Sequence, residues 1–355
     1  MKILVRGTNW IGDAVMAIPA MRRLRQSFPG AEITLHTRSW AEGILRDADF
    51  IDQLLTFDKT SSKIKDVVRE SRALREKNFD IAVLLPNSFE SALVAKLAGI
   101  PKRFGYAKDG RSLLLTSAVK VPEWKNMLHE VFYYMNLVSA LENDQHAAPS
   151  GLIGPPPEPD LRVSEERRRA AREKLRGLGV GPVNKTIALG VGSTNSRAKR
   201  WPAERYAALN DRIQEELGAD VVLVGGPAEL DISQEVFDAS RVKPVVLTGQ
   251  TDLAEAVAIL AEVDLLISND MGLAHIAPAV GTKTLVIFGP TNPETTRPFS
   301  NDAVIIREGV DCSPCMLRDC PIDHRCMTRI SVDEVFEKAK ASLEPSLSPV
   351  AESDR

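Results

Sequence analysis

The 355-residue chain lacks most of the features that would commit it to a membrane, to nucleic acid or to an oxidising compartment. No run approaches the roughly 18 consecutive apolar residues of a membrane-spanning helix. After Met1 and Lys2, the apolar run Ile3-Leu4-Val5 closes at Arg6 and Gly7. That is too short for the core of a secretory leader and suits a first strand. Acidic and basic residues nearly cancel, 48 against 45, for a net charge of -3. A global basic field of the kind that gathers nucleic acid is therefore absent, and no nucleic-acid partner is expected. Cysteine is scarce: four residues, all from Cys312 to Cys326. A disulfide framework is not expected, and the chain is expected to work in the reducing cytoplasm. What it does have is 44% hydrophobic residues over a length that exceeds one ordinary domain, enough to fill two cores.

Those residues fall in short apolar runs that alternate with longer amphipathic stretches. In the first half the runs Lys2–Val5, Ile33–His36, Gln53–Phe57 and Ile81–Leu85 predict strands, and the patterns Ala20–Gln26 and Ile64–Lys77 predict helices. From Ala147 to Pro159 the composition turns to proline and glycine, which reads as a linker. A charged helix is expected over Ser164–Arg176, with Ser164 as N-cap. A second series of strands is expected at Thr186–Leu189, Val221–Val224, Val245–Leu247, Leu265–Ser268 and Thr284–Phe288. Helices are expected between them at Ala203–Leu217, Glu229–Ala239, Leu253–Ala261 and Leu273–Val280. A last helix is expected over Val332–Ser342, then a polar, disordered tail. Such alternation predicts α/β architecture with parallel sheets. The expected division is a Rossmann-like domain over 1–148, a linker and connecting helix over 149–183, a second Rossmann-like domain over 184–330, and a final helix and tail over 331–355. Two such sheets facing each other would hold one ligand each at the carboxyl ends of their strands, an arrangement suited to group transfer.

The loop after the first strand is Gly7-Thr8-Asn9-Trp10-Ile11-Gly12-Asp13. Its glycine spacing is that of a phosphate-binding loop, but Asp13 and Ala14 stand where lysine and a hydroxyl residue would have to follow. A carboxylate there would repel a triphosphate. The dinucleotide fingerprint G-x-G-x-x-G is also missing. Asp13 has two readings: the N-cap of a helix starting at Ala14, or a general base at the mouth of a cleft. Pro19 breaks that helix or opens a second one.

In the second half, Gly190-Val191-Gly192-Ser193-Thr194 leads to Arg197, Lys199, Arg200, Trp201 and Pro202. The glycines permit close approach of backbone, Ser193 and Thr194 offer hydroxyls, and the three cations suit a diphosphate. An exposed basic loop is the alternative. Gly225-Gly226-Pro227-Ala228-Glu229 offers Glu229 either to ribose hydroxyls or to the first turn of a helix. Ser268-Asn269-Asp270-Met271-Gly272-Leu273-Ala274-His275 joins an apolar strand to an apolar helix. Gly272 at the helix start exposes amide groups to an anion, and Asp270 either holds sugar hydroxyls or caps the helix. His275 reads as a packed, supporting histidine. Gly289-Pro290-Thr291-Asn292-Pro293 is a turn-rich loop at the same edge.

In this order the segments resemble the lipopolysaccharide heptosyltransferases, glycosyltransferases with the GT-B arrangement of two Rossmann-like domains about a cleft. The anchors are Gly12-Asp13, Lys199-Arg200-Trp201-Pro202 and Asn269-Asp270-x-Gly272-Leu273-x-His275, over Met1 to about Arg297. Leu85-Pro86-Asn87-Ser88-Phe89-Glu90-Ser91-Ala92-Leu93, Ala98-Gly99-Ile100-Pro101 and Arg103-x-Gly105 look like the members that add the second heptose. The resemblance implies inverting transfer from ADP-L-glycero-D-manno-heptose to the first heptose of a Kdo-lipid A core. It assigns Asp13 as base, with Asn9, Trp10 and Gly12 on the acceptor-side loop. It assigns Lys199, Ser193, Thr194, Glu229, Asp270, Met271, Gly272 and His275 to the donor. Catalysis is expected to need no cofactor, since preorganised cationic and amide groups can take the place of a divalent metal and no Asp-x-Asp motif marks the donor half.

Two features fall outside this pattern. Cys312-x2-Cys315-x4-Cys320-x5-Cys326 is spaced either for a structural zinc ion or as free thiols. The implied acceptor is lipid-anchored, so peripheral contact with the cytoplasmic face of the inner membrane of a Gram-negative bacterium is expected. Arg22, Arg23 and Arg25 offer either a patch for anionic headgroups or a solvated helix face.

Overall fold

Most of the apolar runs become strands buried on both faces, as the interior of a parallel sheet requires, while the outer strands are partly exposed. A computed structural model describes residues 1–146 and 156–344. The first sheet holds β1 (Lys2–Arg6), β2 (Glu32–Arg38), β3 (Gln53–Phe57), β4 (Ile81–Leu84), β5 (Lys102–Tyr106) and β6 (Ser117–Val119). The second holds β7 (Thr186–Gly190), β8 (Asp220–Leu223), β9 (Val245–Val246), β10 (Leu265–Asn269), β11 (Lys283–Phe288) and β12 (Ala303–Arg307). Their orders are β3-β2-β1-β4-β5-β6 and β12-β11-β10-β7-β8-β9, with every ladder parallel. Each is a doubly wound Rossmann-type sheet whose order reverses once, between β1 and β4 and between β7 and β10. At such a switch point the two flanking loops diverge and leave a crevice.

The connections of the first half are α1 (Ile11–Met16), α2 (Ile18–Ser27), α3 (Ala41–Leu45), α4 (Lys63–Arg75), α5 (Phe89–Leu97) and α6 (Glu130–His146). Those of the second are α7 (Glu165–Gly177), α8 (Ala203–Leu217), α9 (Leu230–Ala239), α10 (Leu253–Leu260), α11 (Gly272–Ala279), α12 (Pro293–Thr296), α13 (Arg325–Thr328) and α14 (Val332–Leu343). One buried apolar cluster runs from Ile3 and Val15 in the first half to Leu260 and Ile276 in the second, so the halves share a dry contact. Arg167 of α7 stitches it, donating to Asp47 at 2.7 Å, to the Gly43 carbonyl at 2.9 Å and to the Ala254 carbonyl at 2.8 Å. No helix among the described residues is long and apolar enough to cross a membrane.

The expected strands and helices form, most with ends shifted by a residue or two. Strands β5, β6 and β12 and helices α3, α5, α6, α12 and α13 are not among those the pattern predicts. Strand β5 starts on Lys102 and Arg103, and β6 is three residues long, so neither shows the apolar run that marks a buried strand. Most of the proline-rich stretch, 147–155, and the tail, 345–355, lie outside the described residues. Two capping readings are corrected. Helix α1 begins at Ile11 with Trp10 as N-cap, so Asp13 sits inside the first turn, and α11 is capped by the extended Met271 rather than by Asp270. Pro19 is the second residue of α2 and opens it.

Candidate active site

The loops leaving β1, β7 and β10 meet across one cavity of about 1070 Å³. Trp10, Ile11, Gly12, Asp13, Met16 and Trp40 line its first-half wall. The facing wall carries Ser193, Thr194, Lys199, Glu229, Asp270, Met271, Gly272 and His275, so the donor-side residues named from the sequence are brought together. Asn9 is not: it is exposed and does not line the cavity. Of the three loop cations only Lys199 lines it. Arg197 points away and pairs with Asp319, and Arg200 donates to the Ser193 carbonyl at 3.2 Å.

Helices α1 and α11 pack side by side, with Ile11 against Gly272 and Gly12 against His275. A Cβ on Gly272 would stand 2.7 Å from Ile11 Cγ2, so only glycine lets the two N-termini approach this closely. Asp13 thereby lines the same cavity as the N-terminus of α11. Burial pushes the Asp13 carboxyl up to about 6; a hydrogen bond from the Tyr134 hydroxyl, 3.1 Å from Oδ1, pulls the other way. Glu130 adds to the rise and Lys125 opposes it. Those two are ion-paired to each other close by. A carboxylate that ionises near pH 6 is a competent proton acceptor at neutral pH and stronger than an ordinary surface aspartate.

Across the cavity, Lys199 meets Asp270 at 2.7 Å, and the Thr291 hydroxyl donates to Asp270 at 2.6 Å. The ammonium is thus anchored at the rim of the cavity. Asn269, the residue before Asp270, is fully buried and binds four groups. Its Oδ1 accepts from the Trp201 amide at 2.9 Å and the Tyr206 hydroxyl at 3.1 Å. Its Nδ2 donates to the carbonyls of Val191 at 2.8 Å and Gly192 at 3.0 Å. This one side chain fixes the Gly190–Trp201 loop to the end of β10.

Glu229 is only 3% exposed. It accepts from the Gly226 amide at 2.9 Å and from the Thr194 hydroxyl at 3.3 Å, and burial raises its carboxyl. It does stand at the start of a helical turn, yet its other side lines the cavity. Gly192 makes room for it, since a Cβ there would overlap the Glu229 carboxyl. His275 is buried against Gly12, and burial lowers its pKa to about 4, so it is neutral. Its Nδ1 has no hydrogen-bond partner among the described residues.

Tyr134 and Asn269 were missed by sequence reasoning. Tyr134 lies in an apolar helix 121 residues from Asp13 and carries no motif; Asn269 was quoted only as part of its motif.

The cysteines lie in one neighbourhood but at different depths. Cys312 and Cys315 are exposed, Cys320 is half-buried and Cys326 is buried. Burial, with the neighbouring thiols adding to it, pushes the Cys326 thiol up to about 11. Among the described residues no group of three or more histidine, cysteine or acidic side chains is placed to hold a metal ion, so of the two readings of the cysteines this arrangement is that of free thiols.

Two Rossmann-type sheets about one cavity, with Asp13 on one wall and Lys199 and the start of α11 on the other, have the arrangement of a GT-B glycosyltransferase. The chain belongs to glycosyltransferase family 9 (heptosyltransferase), whose model matches residues 67–325. It is 31% identical over 315 residues to lipopolysaccharide heptosyltransferase 2 of Escherichia coli K12, covering 86% of this chain and 88% of that one. The protein of the same name from Salmonella typhimurium is also 31% identical over the same shares of each chain. Among solved structures, E. coli ADP-heptose lps heptosyltransferase II superposes with a TM-score of 0.82 at 28% identity, over 97% of this chain and 98% of that one. A glycosyl transferase family 9 protein of Veillonella parvula gives 0.82 at 25% identity, over 96% and 97%.

Proposed function

We propose that the protein moves L-glycero-D-manno-heptose from ADP-heptose onto the first heptose of a Kdo-lipid A core, with inversion, at the cytoplasmic face of the inner membrane. The observation that carries the reading is the placement of Asp13, ionising near pH 6, opposite Lys199 and the N-terminus of α11 in one cavity. The relatives named for the second heptose transfer support the choice of donor and acceptor.

In this reading the first half, 1–148, takes the acceptor and the second, 184–330, the donor, with 149–183 connecting them and 331–355 closing the chain. Asp13 accepts the acceptor hydroxyl's proton as that oxygen attacks the anomeric carbon. The bond to the diphosphate breaks on the opposite face of the sugar, which inverts the centre. Lys199 and the amides at Gly272 take up the charge that grows on the departing ADP. Ser193, Thr194 and Glu229 offer hydrogen bonds to the nucleotide, with Asp270, Met271 and His275 shaping the wall beside the sugar. Asp13, Gly12 and Trp10 face the acceptor. No metal is needed in this scheme, because cation and amides do its work.

Incubating the protein with ADP-heptose and a mono-heptosylated Kdo-lipid A tests it. A product heavier by one heptose, formed by wild type and not by Asp13→Asn, is expected. ADP release without such a product would refute the transfer. Equal turnover on Kdo-lipid A without heptose would replace the second-heptose reading with the first.

A further inference from the structure

We propose that the outer face of α4 and α5 docks on an anionic phospholipid surface; the inference rests on the reading that the acceptor is lipid-anchored. The arginines suggested by the sequence do not serve. Arg22 pairs with Asp49 at 2.8 Å and with Asp160 at 3.0 Å, Arg23 with Glu142 at 2.6 Å, and Arg25 with Asp52. Their charge is consumed within the fold.

Helix α4 is arranged the other way round. Its acids at Asp66 and Glu70 are buried. Asp66 accepts from Thr60 and pairs with Arg69, and Glu70 pairs with Arg6 at 2.7 Å. What remains outside is cationic. Lys63, Lys65, Arg72 and Lys77, with Lys96 of α5, are exposed, and none of them is in an ion pair among the described residues. On this face Glu76 is the acid left exposed. A chain with a net charge of -3 thus concentrates unpaired positive charge on one surface.

Apolar side chains lie among these cations. Ile64 is 79% exposed, Phe89 48%, Leu97 42% and Val68 40%. The two helices lie side by side. Lys59 pairs with Glu90 near their N-terminal ends, and Arg75 donates to the Leu97 carbonyl near their C-terminal ends. Ile64 and Val68, one turn apart, therefore form with Phe89 and Leu97 an apolar seam flanked by lysine and arginine. That is the composition of a helix face that lies in the headgroup region: the apolar groups enter the acyl boundary while the cations meet phosphates.

The position fits the chemistry. Helices α4 and α5 leave the carboxyl ends of β3 and β4, the same edge of the sheet from which β1 delivers Asp13. Docking through this face would hold at the bilayer the same half of the protein that carries Asp13.

The test is co-sedimentation of the full-length protein with vesicles of phosphatidylglycerol and phosphatidylethanolamine, against phosphatidylcholine alone. Binding is expected to the anionic vesicles only, and to weaken in high salt. Each cation removed should cost about fivefold in partitioning. The variant Lys65→Gln/Arg72→Gln/Lys96→Gln should therefore lose about a hundredfold. Ile64→Ser/Val68→Ser should weaken binding even at low salt. Both variants should turn over a deacylated, soluble acceptor at the wild-type rate, which shows that they fold. Wild-type levels of vesicle binding by the triple variant would overturn the inference while leaving the transfer reaction standing. So would a concentration-dependent dimer that Ile64→Ser/Val68→Ser abolishes, which would give the face to a second copy of the chain. Failure of wild type to transfer heptose to the soluble acceptor would instead strike the functional reading.

Discussion

Replacing Tyr134 by phenylalanine removes one oxygen and tests the assignment of Asp13. The hydroxyl stands 3.1 Å from Asp13 Oδ1 and stabilises the ionised carboxylate against the burial that lifts its pKa to about 6. Hydrogen bonds to charged groups contribute about 1.5–3 kcal/mol. Asp13 lines an open cavity, so water replaces part of the bond and the low end applies, equal to about one pH unit. The acid limb of the kcat/KM profile should therefore move from near pH 6 to near pH 7. At pH 5.5 the ionised fraction, and with it the rate, should fall about eightfold, while at pH 8.5 it should fall by less than about twofold. The assay is initial-rate ADP release across pH, with the thermal midpoint of each variant recorded beside it. An acid limb that stays where it was, or a rate lowered by one factor at every pH, would refute the role given to the pair.

Asp13→Asn should abolish transfer and raise stability at pH 8 by on the order of 3 kcal/mol. A carboxyl whose folded pKa lies above its unfolded value costs stability as pH rises through the folded pKa, here about 6. The gain in thermal midpoint should shrink as pH falls toward 4, and an unchanged difference would contradict the assignment. Gly192→Ala drives a Cβ into the Glu229 carboxyl, so KM for the donor should rise with an overpacking cost of about 1–3 kcal/mol, read by donor titration and denaturation. Asn269→Ala strands two amide carbonyls, an amide and a hydroxyl in the core. It should cost about 3 kcal/mol or more in urea unfolding, and donor binding with it.

Much of the site was legible because glycines and polar residues at strand ends follow from local geometry. Gly192, Gly272 and Lys199 stand where loops leave β7 and β10, and their types suit an anion whatever the rest of the chain does. Reading Asp13 by local rules alone failed, since an aspartate before an apolar helical stretch looks like an N-cap. The helix starts two residues earlier than Asp13 because Ile11 is drawn against Gly272 of the opposite half. The arginine patch failed for a similar reason: Arg22, Arg23 and Arg25 share a helix face in sequence, and their acidic partners come from Asp49, Asp160, Glu142 and Asp52.

By itself the amino-acid order determined two rounds of strand and helix, the parallel character of both sheets and the chemistry offered at each strand end. Those depend on the spacing of apolar residues and on turn formers within a few positions of one another. The tertiary structure alone decided that Tyr134 answers Asp13, that Asn269 holds the glycine loop, that the cysteines sit as free thiols at different depths, and which basic surface keeps its charge free. Desolvation, pairing and steric fit depend on what arrives from distant parts of the chain, and no local periodicity carries that information.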